Sequence, residues 1–286
     1  MTPVVAVIAP GAMGAAVGLR LVEHGVKVLT SLEGRSQATR SRAKATGMTA
    51  TGDEEIAAAD YILSILPPGD ALALARRFVP VLQARNAKSV YVDCNAINPQ
   101  TVREVAAALK PADCPFVDAG IIGQPPKTGD AGPRFYASGP AAPRFAALRD
   151  YGLDIRVLDG ELSAASALKM SYAGITKGLT ALGAAMMLGA TRAGVAEALY
   201  GELAASQPAL LAWFTRQIPG MYQKAYRWVA EMEEIAEFLE DDPAAEDMFR
   251  GAADLYERLA GEGSGATPET AALSRFLAQS QARKAS

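Results

Sequence analysis

A chain of 286 residues, half of them hydrophobic and 21% charged, carries enough apolar material for two domains and is too apolar to stay disordered. Its formal net charge of −3 argues against a nucleic-acid partner, which asks for a basic stripe. The one histidine, His24, falls where a helix is expected to end at the surface, so neither a Ser-His-Asp triad nor a histidine-built metal centre is expected, and the two cysteines, Cys94 and Cys114, form neither a disulfide framework nor a metal-ligand spacing; they suit the reducing cytoplasm.

The first predicted elements are a strand, a glycine turn and a helix, in VVAVIAPGAMGAAVG (residues 4–18). VVAVIA is short, has no basic lead-in and runs straight into the turn, so it reads as a strand and not as a signal peptide. The turn departs from the dinucleotide fingerprint G-x-G-x-x-G: Ala9 stands at the first glycine, while Gly11 and Gly14 keep the second and third. The second glycine lets the backbone approach a pyrophosphate, and the third lets helix and strand pack closely. Pro10, Gly11, Ala12, Met13 and Gly14 are therefore expected to hold the cofactor, with the start of the helix aimed at its phosphates. His24, beside Gly25, is expected to cap that helix at the surface.

The second strand ends VLTSLEGRS. Thr30 and Ser31 fall where an NAD site commonly carries an acid for the ribose hydroxyls, and Arg35, Ser36 and Arg40 follow. Small hydroxyls with a guanidinium suit a 2′-phosphate, so Ser31, Arg35 and Ser36 point to NADP in preference to NAD. The rival reading makes Glu33 the ribose ligand. Further strands are expected at YILSIL, SVYVD, CPFVDAG, FYASG and DIRVL, with amphipathic helices such as NPQTVREVAAALK between them. This alternation predicts an α/β fold, a Rossmann-like doubly wound parallel sheet.

After Gly160 the strand signals stop, and an all-α C-terminal domain is expected: residues 1–160 bind dinucleotide and residues 161–286 form a helical substrate and dimerisation domain. Breaks are expected at Pro208, Pro219, Pro243 and GEGSGATP, and a frayed end at QSQARKAS. The longest charge-free apolar stretch, Gly178 to Thr191, is shorter than the roughly 20 residues of a membrane span, so no membrane is expected.

Between Glu161 and Thr191 the only charges are Lys169 and Lys177. At helical spacing Lys169 shares a small, semi-polar face with Ala165, Ser166, Tyr172, Ala173 and Thr176. A lysine drawn into such a face has a lowered pKa and can act as a general acid or base at a carbonyl oxygen, with Tyr172 as a helper. Lys177 is left among a phosphate, a partner carboxylate and a dimer rim.

With these residues in hand, the chain resembles the β-hydroxyacid dehydrogenase superfamily, the group of 3-hydroxyisobutyrate dehydrogenase, 6-phosphogluconate dehydrogenase and the imine reductases. Within it, the chain resembles a branch of 6-phosphogluconate dehydrogenase-like proteins with a C-terminal domain of unknown function. The likeness rests on APGAMG; on Leu66 and Pro67 of SILPPGDA, which look like the loop over the cofactor; on VDAGIIGQPP in place of D-A-P-V-S-G-G; and on GELSAASALKMSYAG in place of G-x-x-G-x-G-x-x-x-K-x-x-x-N. It implies Lys169 as the catalytic lysine, Asn95 orienting substrate and touching cofactor, and Gly120, Ile121, Ile122 and Gly123 lining the substrate site. It also implies a homodimer through the helical domain. Ile122, Gln124 and Ala173 replace polar or glycine positions of the acid-binding set, which makes a plain β-hydroxy acid doubtful. Trp213, Met221, Tyr222, Tyr226 and Trp228 are either core or a more aromatic pocket, with Pro219 expected to start the helix of the two tyrosines. Relatives that reduce C=N often place Asp or Tyr at the Lys169 position, so C=O chemistry is expected, with imine reduction and a decayed NADP-binding scaffold as alternatives.

Overall fold

The computed structural model describes residues 2–126, 132–261 and 267–282. The first half alternates as expected: β1 Val4–Ile8, α1 Ala12–Glu23, β2 Lys27–Thr30, α2 Gln37–Ala45, β3 Thr49–Ala50, α3 Asp53–Ile56, β4 Tyr61–Ser64, α4 Ala71–Gln83, β5 Val90–Asp93, α5 Pro99–Leu109 and β6 Phe116–Ile122. Then come β7 Arg134–Ser138, the one-turn α6 Ala142–Phe145 and β8 Asp154–Val157. The strands form one eight-stranded sheet in the order β3-β2-β1-β4-β5-β6-β7-β8. Every neighbouring pair is parallel except β6 and β7. The order from β3 to β6 is that of a doubly wound nucleotide-binding sheet. The two-residue β3 gave no sequence signal, since two exposed residues have no periodicity to read.

Alternation along the strands fills both faces. In β1, Val5 and Val7 join Val17 and Leu21 of α1 on one side. Ala6 and Ile8 join Leu74, Phe78 and Leu82 of α4 and Val102, Val105 and Leu109 of α5 on the other. His24 caps α1 as expected, exposed, with its Nδ1 2.7 Å from the Arg20 carbonyl.

After β8 the described chain is helical: α7 Ala164–Arg192, α8 Ala196–Ser206, α9 Pro208–Met221, α10 Ala225–Phe238, α11 Pro243–Ala260 and α12 Pro268–Ala282. Pro208 and Pro243 begin helices, where a missing N–H costs nothing. Pro219 does not break the chain as expected; it lies inside α9, which ends two residues later at Met221. The GEGSGATP break and the frayed end at QSQARKAS fall partly at 262–266 and 283–286, outside the described residues, while Gln279–Ala282 continue α12.

The chain divides into two compact units, Met1–Met170 and Ser171–Ser286, so the dividing point lies within α7, past the turn at Gly160. In the second unit, Phe249 of α11 sits over Gly174 and Gly178 of α7, where a Cβ would crowd its ring, and Phe214 of α9 fills the notch at Gly183. Tyr200 and Phe276 pack edge to face at 5.9 Å. Among the described residues α7 alone is long and apolar enough to cross a membrane by length and composition, and 44% of its most apolar window is buried inside the fold.

Candidate active site

The glycine turn closes without the first glycine. Apart from glycines, only Asp113 and Ser163 among the described residues have positive φ, so Ala9 and Pro10 do not use the freedom a glycine would bring. Gly11 N donates to the Ala9 carbonyl at 2.8 Å and Gly11 caps α1 in an extended conformation. A Cβ on Gly11 would meet open space, whereas one on Gly14 would be driven into the Ala9 carbonyl. Gly14 is thus required for the helix to pack, and Gly11 leaves the backbone open to a ligand. Pro10 is buried, Met13 half-buried and Ala12 exposed. The first amides of α1 have no helical acceptor and no acidic side chain stands in that turn, so the positive helix end suits a pyrophosphate. Arg42 of α2 donates to the Pro10 carbonyl at 3.2 Å, bracing the turn from a distance no local pattern reveals.

At the end of β2 the expected residues separate by role. Thr30 is buried and donates to the Val7 carbonyl at 2.8 Å, so it ties strands together. Ser36 caps α2, accepting from Thr39 N at 3.3 Å, and Arg40 donates to the Arg35 carbonyl at 3.1 Å. Arg35 is half-buried there. Ser31, only 5% exposed, accepts from Arg77 Nη2 at 3.2 Å. Arg77 comes from α4 and forks onto Asp53 at 2.6 and 2.7 Å. Sequence reading missed Arg77 and Asp53, because only the crossing of the sheet brings them to Ser31.

Leu66 and Pro67 follow β4, with Pro67 exposed and Leu66 half-buried. The Leu66 amide donates to Asn95 Oδ1 at 2.5 Å. Asn95 Nδ2 donates to Ser64 Oγ at 2.8 Å and to Asp93 Oδ2 at 3.1 Å, and its backbone N donates to Asp93 Oδ1 at 2.9 Å. At 2% exposure, Asn95 spends its amide on tying the loops after β4 and β5 together. Both ends of the amide thus have partners within the fold, which fixes the side chain's position beside the two loops.

The stretch read as substrate-binding seats α7. Asp118, 1% exposed, accepts from Ser166 Oγ at 2.6 Å, Ser166 N at 2.9 Å and Ser138 Oγ at 3.0 Å; Ser138 Oγ in turn accepts from Ala165 N at 3.0 Å. Burial pushes the Asp118 carboxyl above its ordinary range, and these donors pull it back only in part. Gly120 is buried where a Cβ would lie 2.8 Å from the Ala165 carbonyl and 3.1 Å from Lys169 Cβ, so glycine is what lets helix and strand approach. Lys169, half-buried, donates from Nζ to the Ile121 carbonyl at 2.7 Å. Ile121 is buried, Ile122 half-buried, and Gly123 exposed at φ 133°, which favours glycine. Ser163, at the turn into α7, holds φ 90° where the family pattern quoted above has a glycine.

In the second unit Tyr172 is 49% exposed, in line with Ile175, Leu182 and Met186 along α7. Tyr222 is half-buried at the end of α9 and accepts from Ser274 Oγ at 3.2 Å; burial raises its pKa. Tyr226 belongs to α10 and is 66% exposed, so the two tyrosines do not share one helix begun by Pro219. Met221 is core, and Trp228 packs edge to face on Tyr256 at 5.2 Å. Lys177 takes the partner-carboxylate role left open above. It pairs with Glu231, stands 5.1 Å over the Trp228 ring, and its pKa is lowered by burial against the pull of Glu231.

Gly11 follows β1, Ser31 follows β2, Leu66 follows β4, Asn95 follows β5, and Ile121, with Lys169 on it, ends β6. These strands are parallel, so all five positions lie at the carboxyl edge of the sheet, where open α/β sheets bind ligands. Residues 4–149 match the NAD binding domain of 6-phosphogluconate dehydrogenase, and residues 190–259 match a domain of unknown function (DUF1932). The chain belongs to the β-hydroxyacid dehydrogenase superfamily. It is thus an NAD(P)-binding oxidoreductase. A conserved protein of unknown function, noted for structural similarity with 3-hydroxyacid dehydrogenases, is 31% identical at TM-score 0.66, over 90% of this chain and 99% of its own. A conserved hypothetical protein from Sinorhizobium meliloti 1021 is 22% identical at TM-score 0.71, over 96% and 97%. Mycobacterium tuberculosis 3-hydroxyisobutyrate dehydrogenase shares the fold at 19% identity and TM-score 0.73, over 96% and 99%. Comparison with curated proteins gives no match.

Proposed function

We propose that this oxidoreductase is NADPH-dependent and acts between the carbonyl and hydroxyl states of a small compound, with Lys169 as general acid and base. The observation that carries the reading is the Lys169 ammonium held on the Ile121 carbonyl, 2.7 Å away, at the carboxyl edge of the sheet that also presents Gly11. The nicotinamide, when bound, supplies or accepts the hydride at the substrate carbon. Lys169 Nζ passes a proton to the substrate oxygen in reduction and takes it back from the hydroxyl in oxidation. The Ile121 carbonyl aims the ammonium by accepting a hydrogen bond from it. Asn95 keeps the Leu66–Pro67 loop over the cofactor in register with β5. Gly11, with Pro10, Ala12, Met13 and Gly14, holds the pyrophosphate, and Ser31, Arg35 and Ser36 face the ribose end. Gly120, Ile122 and Gly123 stay assigned to the substrate side.

A homodimer is part of the same reading. Tyr172, Ile175, Leu182 and Met186 leave an apolar line on α7, between 49% and 71% exposed, that a second copy would cover. The protein is read as soluble and cytoplasmic, without a membrane or nucleic-acid partner. The test is Lys169→Met. Turnover of a carbonyl panel is expected to fall by about a hundredfold or more, while NADPH still quenches or shifts in fluorescence as with the wild type. Turnover kept in Lys169→Met would move the proton donor to another group.

A further inference from the structure

Two carboxylates meet the Arg77 guanidinium, and they hold it differently. Asp53 grips its Nε and Nη2 at 2.6 and 2.7 Å, and the Asp53 side chain is 22% exposed. Glu33 makes a single contact to Nη2 at 3.5 Å from a side chain that is 86% exposed. The same Nη2 reaches the hydroxyl of Ser31, at the end of β2. Asp53 therefore fixes the plane and position of the guanidinium, and Glu33 meets it only at the exposed rim. A phosphate carries two or more acceptor oxygens and is a better partner for a guanidinium than one distant carboxylate. An anion arriving beside Ser31 competes with Glu33 and leaves Asp53 in place. A ribose with a free 2′-hydroxyl offers a donor instead, and for that group Glu33 is the natural acceptor.

We propose that Arg77 and Glu33 form an exchangeable pair that sets cofactor preference: the 2′-phosphate of NADP(H) displaces Glu33 from Arg77, whereas NAD(H) keeps the pair and uses Glu33 for its ribose. This rests on the dinucleotide reading above and names the residues that decide its selectivity. It also gives Glu33 a place in both cofactor readings of the sequence, as the group that yields to phosphate and the group that accepts a hydroxyl.

The experiment is a fluorescence titration of the full chain with NADPH and with NADH, repeated with 2′,5′-ADP and 5′-AMP as fragment probes by thermal shift. Arg77→Met is expected to weaken NADPH and 2′,5′-ADP by about tenfold or more, with NADH and 5′-AMP nearly unchanged. Glu33→Gln removes an exposed charge and leaves the fold intact; it is expected to tighten NADPH and weaken NADH, each by about threefold. Should Arg77→Met not fold, Glu33→Gln and Arg77→Lys carry the test, because Lys keeps the charge and loses the fork. If wild type binds both dinucleotides and their affinity ratio ignores Glu33→Gln and the Arg77 variants, Arg77 and Asp53 are a structural bridge and the proposal falls alone. If wild type binds neither dinucleotide, the broader reading falls with it.

Discussion

Asp118 beneath the start of α7 and Asp53 beside the end of β2 both hold another element in place, but with different partners. Asp118 is 1% exposed and is satisfied by neutral donors, two serine hydroxyls and the Ser166 amide. Asp53 meets a guanidinium whose side chain is 36% exposed, with Glu33 competing at the rim. Neutral donors inside a dry site impose direction without supplying a counter-charge, so the helix carrying Lys169 has one seat. An ion pair at the surface contributes little to stability, and its members can change partners when a ligand arrives. On the proposed reading, geometry is kept where a proton moves and exchangeable charge where a cofactor is selected.

The largest effect is expected from Asp118→Ala. It strips the acceptor from the Ser166 amide and hydroxyl and should cost about 3 kcal/mol in urea denaturation, with a fall in kcat that the NADPH affinity does not share. Equal losses in stability for Asp118→Ala and for an exposed alanine control would break the comparison. Asp118→Asn adds a pH test. Because burial raises the Asp118 carboxyl above its ordinary 3.8, the folded protein binds that proton more tightly than the unfolded chain. Its contribution to stability is therefore complete below the ordinary value and declines as pH rises through the raised one. The stability gap between wild type and Asp118→Asn should shrink as pH rises through that window, and a gap independent of pH would show that Asp118 does not titrate there.

A smaller effect of opposite sign is expected from Ser163→Gly, at the entrance to the same seat. Ser163 carries φ 90°, so glycine should stabilise by about 1 kcal/mol, read as a raised Tm. Asp53→Asn is expected to be the mildest in stability, less than about 1 kcal/mol, yet to loosen NADPH binding by freeing Arg77 from its fixed plane. A stability loss as large as that of Asp118→Ala would show that the two carboxylates obey one rule after all.

The alternation of β-branched runs with amphipathic stretches was enough to place seven of the eight strands, because buried strands and helix faces leave periods that are local in the chain. The turn at Gly11 and Gly14 was legible for the same reason, and so was the oddness of Lys169 in an apolar helix. The exposure of Tyr172 was not, since side-chain exposure on a helix depends on which neighbours pack against it. The shared helix of Tyr222 and Tyr226 failed because a proline near a helix end does not have to break it.

By itself, then, the sequence determined the doubly wound class of the first half, the helical class of the second, the place of the glycine turn and the identity of the lysine, all of which follow from residue type and spacing. Only the tertiary structure decided that Asn95 spends its amide on Leu66, Ser64 and Asp93, that Asp118 seats α7, that Lys177 answers to Glu231, and that Arg77 reaches Ser31. Each of these is a hydrogen bond or ion pair whose partners are brought together by strand order and helix packing, and such contacts leave no trace in the local pattern of either segment.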